Sequence, residues 1–503
     1  MRKPLGSLVV GVLLLSGCDL APEYSLPEIA MPSFFKEDIA EAVADVAPAS
    51  DGSWKRFDET ANIEEFAWWR MFQDDTLNRL MDEAMQDNPS LTAAIERVNA
   101  ARAVAERAGA PLLPSVEVGF GPQRQLSSAA AVNANLPPDV QASTRPTTLY
   151  TARGTISYEL DLFGKNHGAA RAATEDAAAE ESNYRTARLA LQAELAQTYF
   201  RVRALREEEA LVQQLRDRRA QTRQLTEQKH AAGAVDALVV SAAQTDLAQM
   251  QAEHARVVQA RAVAEHALAV LVGKPPAQLT LEMEALHAAP PVVPAGLPSS
   301  LLERRPDIRQ AEQQIAAANA RIGVARAGYF PDISLSATGG SVAGSLSDLF
   351  QWSSRTWSIG PLAGTILTQP LFEGGRLAAA RAQTEAEYQE AVAAYRASVL
   401  TAFREVEDQL SGIHSARAQT EAAQEALDAA TLAHQVARDR LAAGYSSQLD
   451  YLEAERQLLT ATRGQVQALG QHYVDTVQLV KALGGSWQAP TPPEKTGALP
   501  TVP

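Results

Sequence analysis

Two stretches without proline constrain this chain more than any other feature. There is none between Pro146 and Pro275, nor between Pro370 and Pro490, although the 503 residues contain 27. Proline removes a backbone donor and clashes with the preceding helical turn, so both stretches are free to be very long helices. They are also copies of one another. "KHAAGAV" at Lys229–Val235 matches "RLAAGYS" at Arg440–Ser446, Tyr184-Arg185 matches Tyr395-Arg396, and Gly273 matches Gly484, each pair 211 residues apart. Upstream, "NPSL" from Asn88 and "RPDI" from Arg305 stand 217 apart, and Pro89 and Pro306 each precede a second proline, Pro114 and Pro331, by 25 residues. The chain is an internal duplication.

Each half reads as helix, strand, loop, strand, long helix, turn and shorter helix. The first repeat, 76–285, has a helix, strands at about 114–126 and 147–163, a long helix 165–231 and a return helix 236–272. The second, 286–487, has a helix 306–327, strands at about 331–340 and 356–372, a long helix 375–442 and a return helix 448–483. Gly164 to Gly233 is 69 residues, roughly 100 Å of helix at 1.5 Å per residue, longer than any compact domain needs. Leu191, Leu195, Tyr199, Val202, Leu205, Val212 and Leu215 follow steps of three, four and seven, as do Leu400, Phe403, Val406, Leu410 and Ile413. These are coiled-coil-like seams. The clusters "RVRALREEE" and "RDRRAQTR" are read as the solvated flanks of the rods.

The strand "YTARGTISYELDLFG", Tyr150–Gly164, alternates apolar or small with polar residues, so one face is greasy. From these residues alone the greasy face could meet protein or lipid. Four strands per chain leave two open edges, which a bilayer does not tolerate. Three copies of four strands give a 12-stranded barrel, and about 10 residues per strand suits a tilted membrane strand. Lipid would then cover the apolar face, with Arg153, Glu159 and Asp161 toward a wet lumen or its rim.

The N-terminus carries its own message. Arg2 and Lys3 precede an apolar core at Leu8–Leu15, a signal peptide over 1–17. Leu15-Ser16-Gly17-Cys18 resembles a bacterial lipobox, which makes Cys18, the sole cysteine, the acylated (palmitate-bearing) first residue of an extended segment 18–75. Asp19 resembles a residue that retains lipoproteins at the inner membrane of enteric bacteria, an inference a barrel would override. No other segment offers about 18 uninterrupted apolar residues, so no transmembrane helix is expected. A net charge of −15 argues against a nucleic-acid partner. The eight histidines are scattered without a ligand cluster and "GGR" and "GGS" are too short to cradle phosphate, so neither an enzyme nor a cofactor or metal is expected. The tail, 488–503, is proline-rich and read as disordered.

"LLERRPDIRQAEQQIAAANARIGVARAGYFPDISLSATGG", "YELDLFGK", "WWRMFQDDTLNRLMDEAMQDNPSL", "CDLAPEY" and "VKALGGSW" resemble the outer-membrane efflux protein family, in its NodT-like lipoprotein branch serving resistance-nodulation-division pumps. The resemblance runs from Cys18 to about Trp487. It implies a mainly α homotrimer: a 12-stranded β-barrel in outer-membrane lipid, continuous with a periplasmic α-helical barrel. With a periplasmic adaptor and an inner-membrane pump it would pass small toxic or drug-like compounds outward, a route to antibiotic resistance. Rival readings are a duct for metal ions or a type I secreted polypeptide, and a lipid-anchored periplasmic coiled-coil scaffold without a pore.

By the same resemblance the turns "AAGAVDAL" and "AAGYSSQLDYLEAE" are the far tips, with Gly233, Gly444 and Ser446 in the adaptor contact. Asp450 and Glu453 share one helix face and match the family's acidic constriction, a cation-favouring gate. Two acids near a helix N-terminus would also be favoured by its dipole. Asp236 and Arg440 are read as polar links holding the tip shut, although Arg440 could instead pair along its own helix.

Overall fold

The computed structural model describes residues 20–27, 29, 32, 34–37, 67–126, 145–281, 286, 289–293, 304–360 and 365–485. The signal peptide, Cys18 and the tail lie outside them. The chain divides into two compact units, one of residues 1–27, 98–180 and 311–395, the other of 28–97, 181–310 and 396–503.

The first unit holds every strand among the described residues: β1 (Ser115–Gln125), β2 (Thr147–Leu160), β3 (Asp332–Ala343), β4 (Arg355–Ile359) and β5 (Thr365–Thr368). They form one antiparallel sheet in the order β1-β2-β3-β4, with β5 pairing the start of β3 below β4. The register sorts side chains by face, because directly opposed residues point the same way. One row is Val116, Ile156, Ala337 and Ile359; the next on that face is Val118, Gly154, Gly339 and Trp357. Between them on the opposite face run Glu117, Thr155, Thr338 and Ser358. The greasy face is uncovered: Val118 is 85% exposed and Trp357 77%. At Gly340 the sheet admits no side chain, since a Cβ would lie 2.1 Å from the Ala152 carbonyl oxygen.

Three strand ends differ from the sequence expectation. β2 stops at Leu160 rather than 163, because the Asp161 carboxylate turns to accept the His167 N–H at 2.7 Å and starts the next helix. β3 continues to Ala343. The fourth strand is two short pieces and ends before Pro370, which has no N–H to give a ladder, while the Gln369 amide donates to the Tyr329 carbonyl at 3.1 Å.

Seven α-helices are described: α1 (Asp75–Asp87), α2 (Pro89–Gly109), α3 (Lys165–Ala231), α4 (Ala237–Val272), α5 (Pro306–Ala327), α6 (Arg376–Ala442) and α7 (Gln448–Ala482). α2 leads into β1, α3 follows β2, α5 leads into β3 and α6 follows β5, so these four helices join the same end of the sheet. β1 ends and β2 begins at the far end, where residues 344–354 also connect β3 to β4. α3 and α6 each have 67 residues, about 100 Å of helix. No described helix is long and apolar enough to cross a membrane. Within this unit the segment 20–27 runs antiparallel to α5: Arg326 donates to the Leu20 carbonyl at 3.3 Å and Asn319 to that of Pro22 at 2.9 Å. The Tyr24 hydroxyl reaches the Glu312 carbonyl at 3.5 Å.

The second unit buries the α3 seam, with Leu195, Tyr199 and Val202 at 1% exposure or less against Leu77, Leu80 and Met81 of α1 and Leu268 of α4, and Val212 buried further along. α1 is capped by Asp74, which accepts from Leu77 N at 2.9 Å and from the Tyr199 hydroxyl at 2.7 Å. On α6 the buried line in this unit is Val399, Ala402, Val406 and Leu410, whereas Leu400 is 63% exposed. Leu400 therefore falls outside the seam although its spacing fits, and its neighbour Val399 takes the buried position. The charged clusters are also not simply solvated. Arg203 pairs with Asp74, Arg206 with Glu265, Glu209 with Arg261 and the buried Glu208 with Arg463. Arg218 and Arg219 reach Glu455 and Asp246 at 3.0 and 2.8 Å.

Candidate functional site

The turns joining α3 to α4 and α6 to α7 are built alike. Gly233 and Gly444 both sit at φ +76°, where an L side chain is strained, and nothing lies within 4 Å of a Cβ on either. Gly233 N donates to His230 O and Ala234 N to Lys229 O, both at 2.8 Å; Gly444 N donates to Leu441 O at 3.0 Å and Tyr445 N to Arg440 O at 2.8 Å. This is the Schellman closure that satisfies the last carbonyls of a helix. Local need thus explains both glycines, and both are exposed at the turns. Tyr445, 85% exposed, projects from the second turn. The Ser446 hydroxyl is buried and has no hydrogen-bond partner among the described residues.

The returning helices start on equivalent residues. Asp236 caps α4 by accepting from Val239 N at 3.1 Å, and Ser447 caps α7. Asp450 completes a capping box, accepting from the Ser447 N–H at 2.9 Å and hydroxyl at 2.8 Å. Those bonds, the backbone one first, hold the Asp450 carboxyl below its ordinary range. Glu453, one turn on, is clasped by the Arg456 guanidinium, which lowers its pKa as well. Asp450 and Glu453 therefore both stay ionised, but Glu453 carries its own counter-charge. Asp236 spends its carboxylate on its cap, and among the described residues no ion pair joins it to Arg440, whose carbonyl closes the turn.

The sequence reading missed Arg456, although its spacing of three from Glu453 was visible. It also missed the clamp that fixes α7 to α3 and α4. Arg463 Nε donates to Glu208 at 2.8 Å, and its guanidinium also grips Glu253, which bonds Arg256 as well. The Arg256 hydrogen bond and the Arg463 contact lower Glu253 to about 2. No group of three or more metal-ligating side chains occurs among the described residues.

Residues 80–274 and 297–485 match the outer membrane efflux protein family. The pyoverdine export outer membrane protein OpmQ of Pseudomonas aeruginosa is 34% identical over 96% of this chain and 97% of its own. The toluene efflux pump outer membrane protein TtgC of Pseudomonas putida is 32% identical over 98% and 97%. Among solved structures, the outer-membrane channel OprN superposes with a TM-score of 0.77 at 28% identity, covering 94% of this chain and all of that one.

Proposed function

The chain belongs to the outer membrane efflux protein family, and from that premise we propose that it is the outer-membrane channel of a tripartite efflux system. It passes small toxic or drug-like compounds received from an inner-membrane pump through a periplasmic adaptor. One observation carries the reading: a sheet with an even number of strand positions has one uncovered apolar face, one polar face and two open edges. Closure of three copies removes every edge, turns the apolar rows to lipid and leaves Glu117, Arg153 and Thr155 around a wet lumen. The long helices, all leaving one end of the sheet, form the periplasmic barrel, and the turns at Gly233, Gly444 and Ser446 are its adaptor-binding tips. Asp450 and Glu453 line the gate of the closed end.

Acylation of Cys18 fits the same arrangement. Leu20 lies beside Arg326, six residues before β3 begins at Asp332. Two residues of extended chain reach about 7 Å, so a lipid on Cys18 would start near the foot of the sheet, at the inner face of the membrane. The pump relatives named for toluene and pyoverdine handle unlike molecules, which supports a duct that does not select by binding. Electron imaging of detergent-extracted protein tests the reading. Threefold hollow particles longer than about 100 Å with a detergent belt at one end are expected, with ion conductance in planar bilayers. Solid rods or monomers that do not conduct would overturn it in favour of a scaffold.

A further inference from the structure

The strand register also fixes where charge sits on the apolar face. Arg124, opposite Thr148, continues the alternation of Val116, Val118 and Phe120. Arg355, opposite Ser341, shares its alternation with Trp357 and Ile359. Both arginines therefore end the lipid-facing side at its helix-distal edge, and both are exposed. The Arg355 guanidinium lies 3.9 Å from the centre of the Trp352 ring, and Trp352 is 78% exposed. Among the described residues neither arginine has an ion-pair partner. The Asp348 carboxylate, in the distal turn, accepts from the Ser345 hydroxyl at 2.6 Å and the Gln351 amide at 2.8 Å. The opposite end of the sheet instead gathers acids, with Glu159 and Asp332 on Lys165 and Asp161 on His167.

Exposed guanidinium groups at the edge of an apolar membrane face, that of Arg355 beside the Trp352 indole, suit a phosphate headgroup whose acyl chains lie along that face. The guanidinium fork matches phosphate oxygens, and tryptophan favours the headgroup level. We propose that Arg124 and Arg355, with Trp352 and Trp357, form a binding site for the phosphate headgroups of outer-leaflet lipids. The inference rests on the channel reading. β1 and β4 are the edge strands of one chain's sheet, so closure brings the edge bearing Arg124 against the edge bearing Arg355 of the next copy. Each site is completed between two copies.

The test uses the full-length protein in uncharged detergent, titrated with diphosphoryl lipid A, with its dephosphorylated form and with inorganic phosphate, bound lipid being counted by native mass spectrometry. Diphosphoryl lipid A should bind at least about tenfold more tightly than the dephosphorylated form. Arg124→Gln with Arg355→Gln should abolish that preference, whereas Arg124→Lys with Arg355→Lys should keep most of it, since lysine still offers phosphate a point charge. Equal binding of the two lipids by the unaltered protein would overturn the proposal, and needs no variant to fold. Undiminished preference in the glutamine variant would overturn it too. Displacement of the lipid by an equal concentration of inorganic phosphate would show an ion site and overturn the lipid assignment. Protein that conducts and partitions with outer membranes yet ignores the phosphate groups defeats this inference alone; protein that does neither defeats the channel reading.

Discussion

The buried guanidinium of Arg305 donates to the carbonyl oxygen of Ala482 at 2.9 Å, and the amide of Asn88, its counterpart in the first repeat, donates to that of Leu271 at 2.8 Å. Two different side chains thus do one job: each closes the orphaned C-terminal carbonyls of a returning helix with the residue just before the proline that opens α2 or α5. Arg305 goes further by also pairing with Asp307 and Glu405.

Arg305→Ala should therefore cost more than Asn88→Ala. Removing Arg305 strands a buried carbonyl that had a charged donor and unpairs two partly exposed carboxylates, about 2–3 kcal/mol, against roughly 1 kcal/mol for the neutral bond of Asn88. Thermal dissociation of the detergent-solubilised protein should order them as Arg305→Ala below Asn88→Ala below the unaltered chain; equal losses would contradict the assignment.

Gly444→Val should strain the turn by about 1–2 kcal/mol through φ alone, since the space around the Cβ is open. Gly444→Asn should be milder, because asparagine tolerates the left-handed region. Amide exchange at Leu441–Tyr445 would report the local loosening, and adaptor binding that fell equally in both variants would instead point to direct contact at the glycine.

Asp450→Ala with Glu453→Ala should lower cation selectivity, read as the reversal potential across a planar bilayer under a salt gradient; an unchanged potential would remove the gate. Both carboxyls titrate below their ordinary values in the folded chain. Their contribution is therefore present above the unfolded carboxylate range and lost only as pH falls through the depressed folded values. Selectivity should persist as the periplasmic side is brought to about pH 4, the ordinary range of such groups, and vanish only at lower pH.

Gly340→Ala should disrupt the β2–β3 ladder, because its Cβ would press on the Ala152 carbonyl and the Arg153 backbone. Less protein should reach the outer-membrane fraction, while Gly339→Ala, with nothing within 4 Å, should insert normally. Equal insertion of both would show that the strands separate more readily than the contact implies.

What the sequence by itself determined is whatever depends on near neighbours along the chain. Proline-free stretches mark where α3, α4, α6 and α7 run, the two matched glycines mark their turns, and period-two alternation marks the greasy face of β2, because a few residues fix backbone propensity and side-chain direction. Tertiary structure decided where charges find partners. "RVRALREEE" reads as a solvated flank because nothing local shows that Glu208 is buried against Arg463, 255 residues away. Leu400 keeps seam-like spacing from Phe403, yet a rotation of one residue, set by which helices pack against α6, leaves it exposed. Asp450 and Glu453 were legible as a pair on one face, but their bonds to Ser447 and Arg456 follow from rotamers and cap geometry. Local sequence fixes the direction of a side chain, and only the packed neighbours fix what it meets.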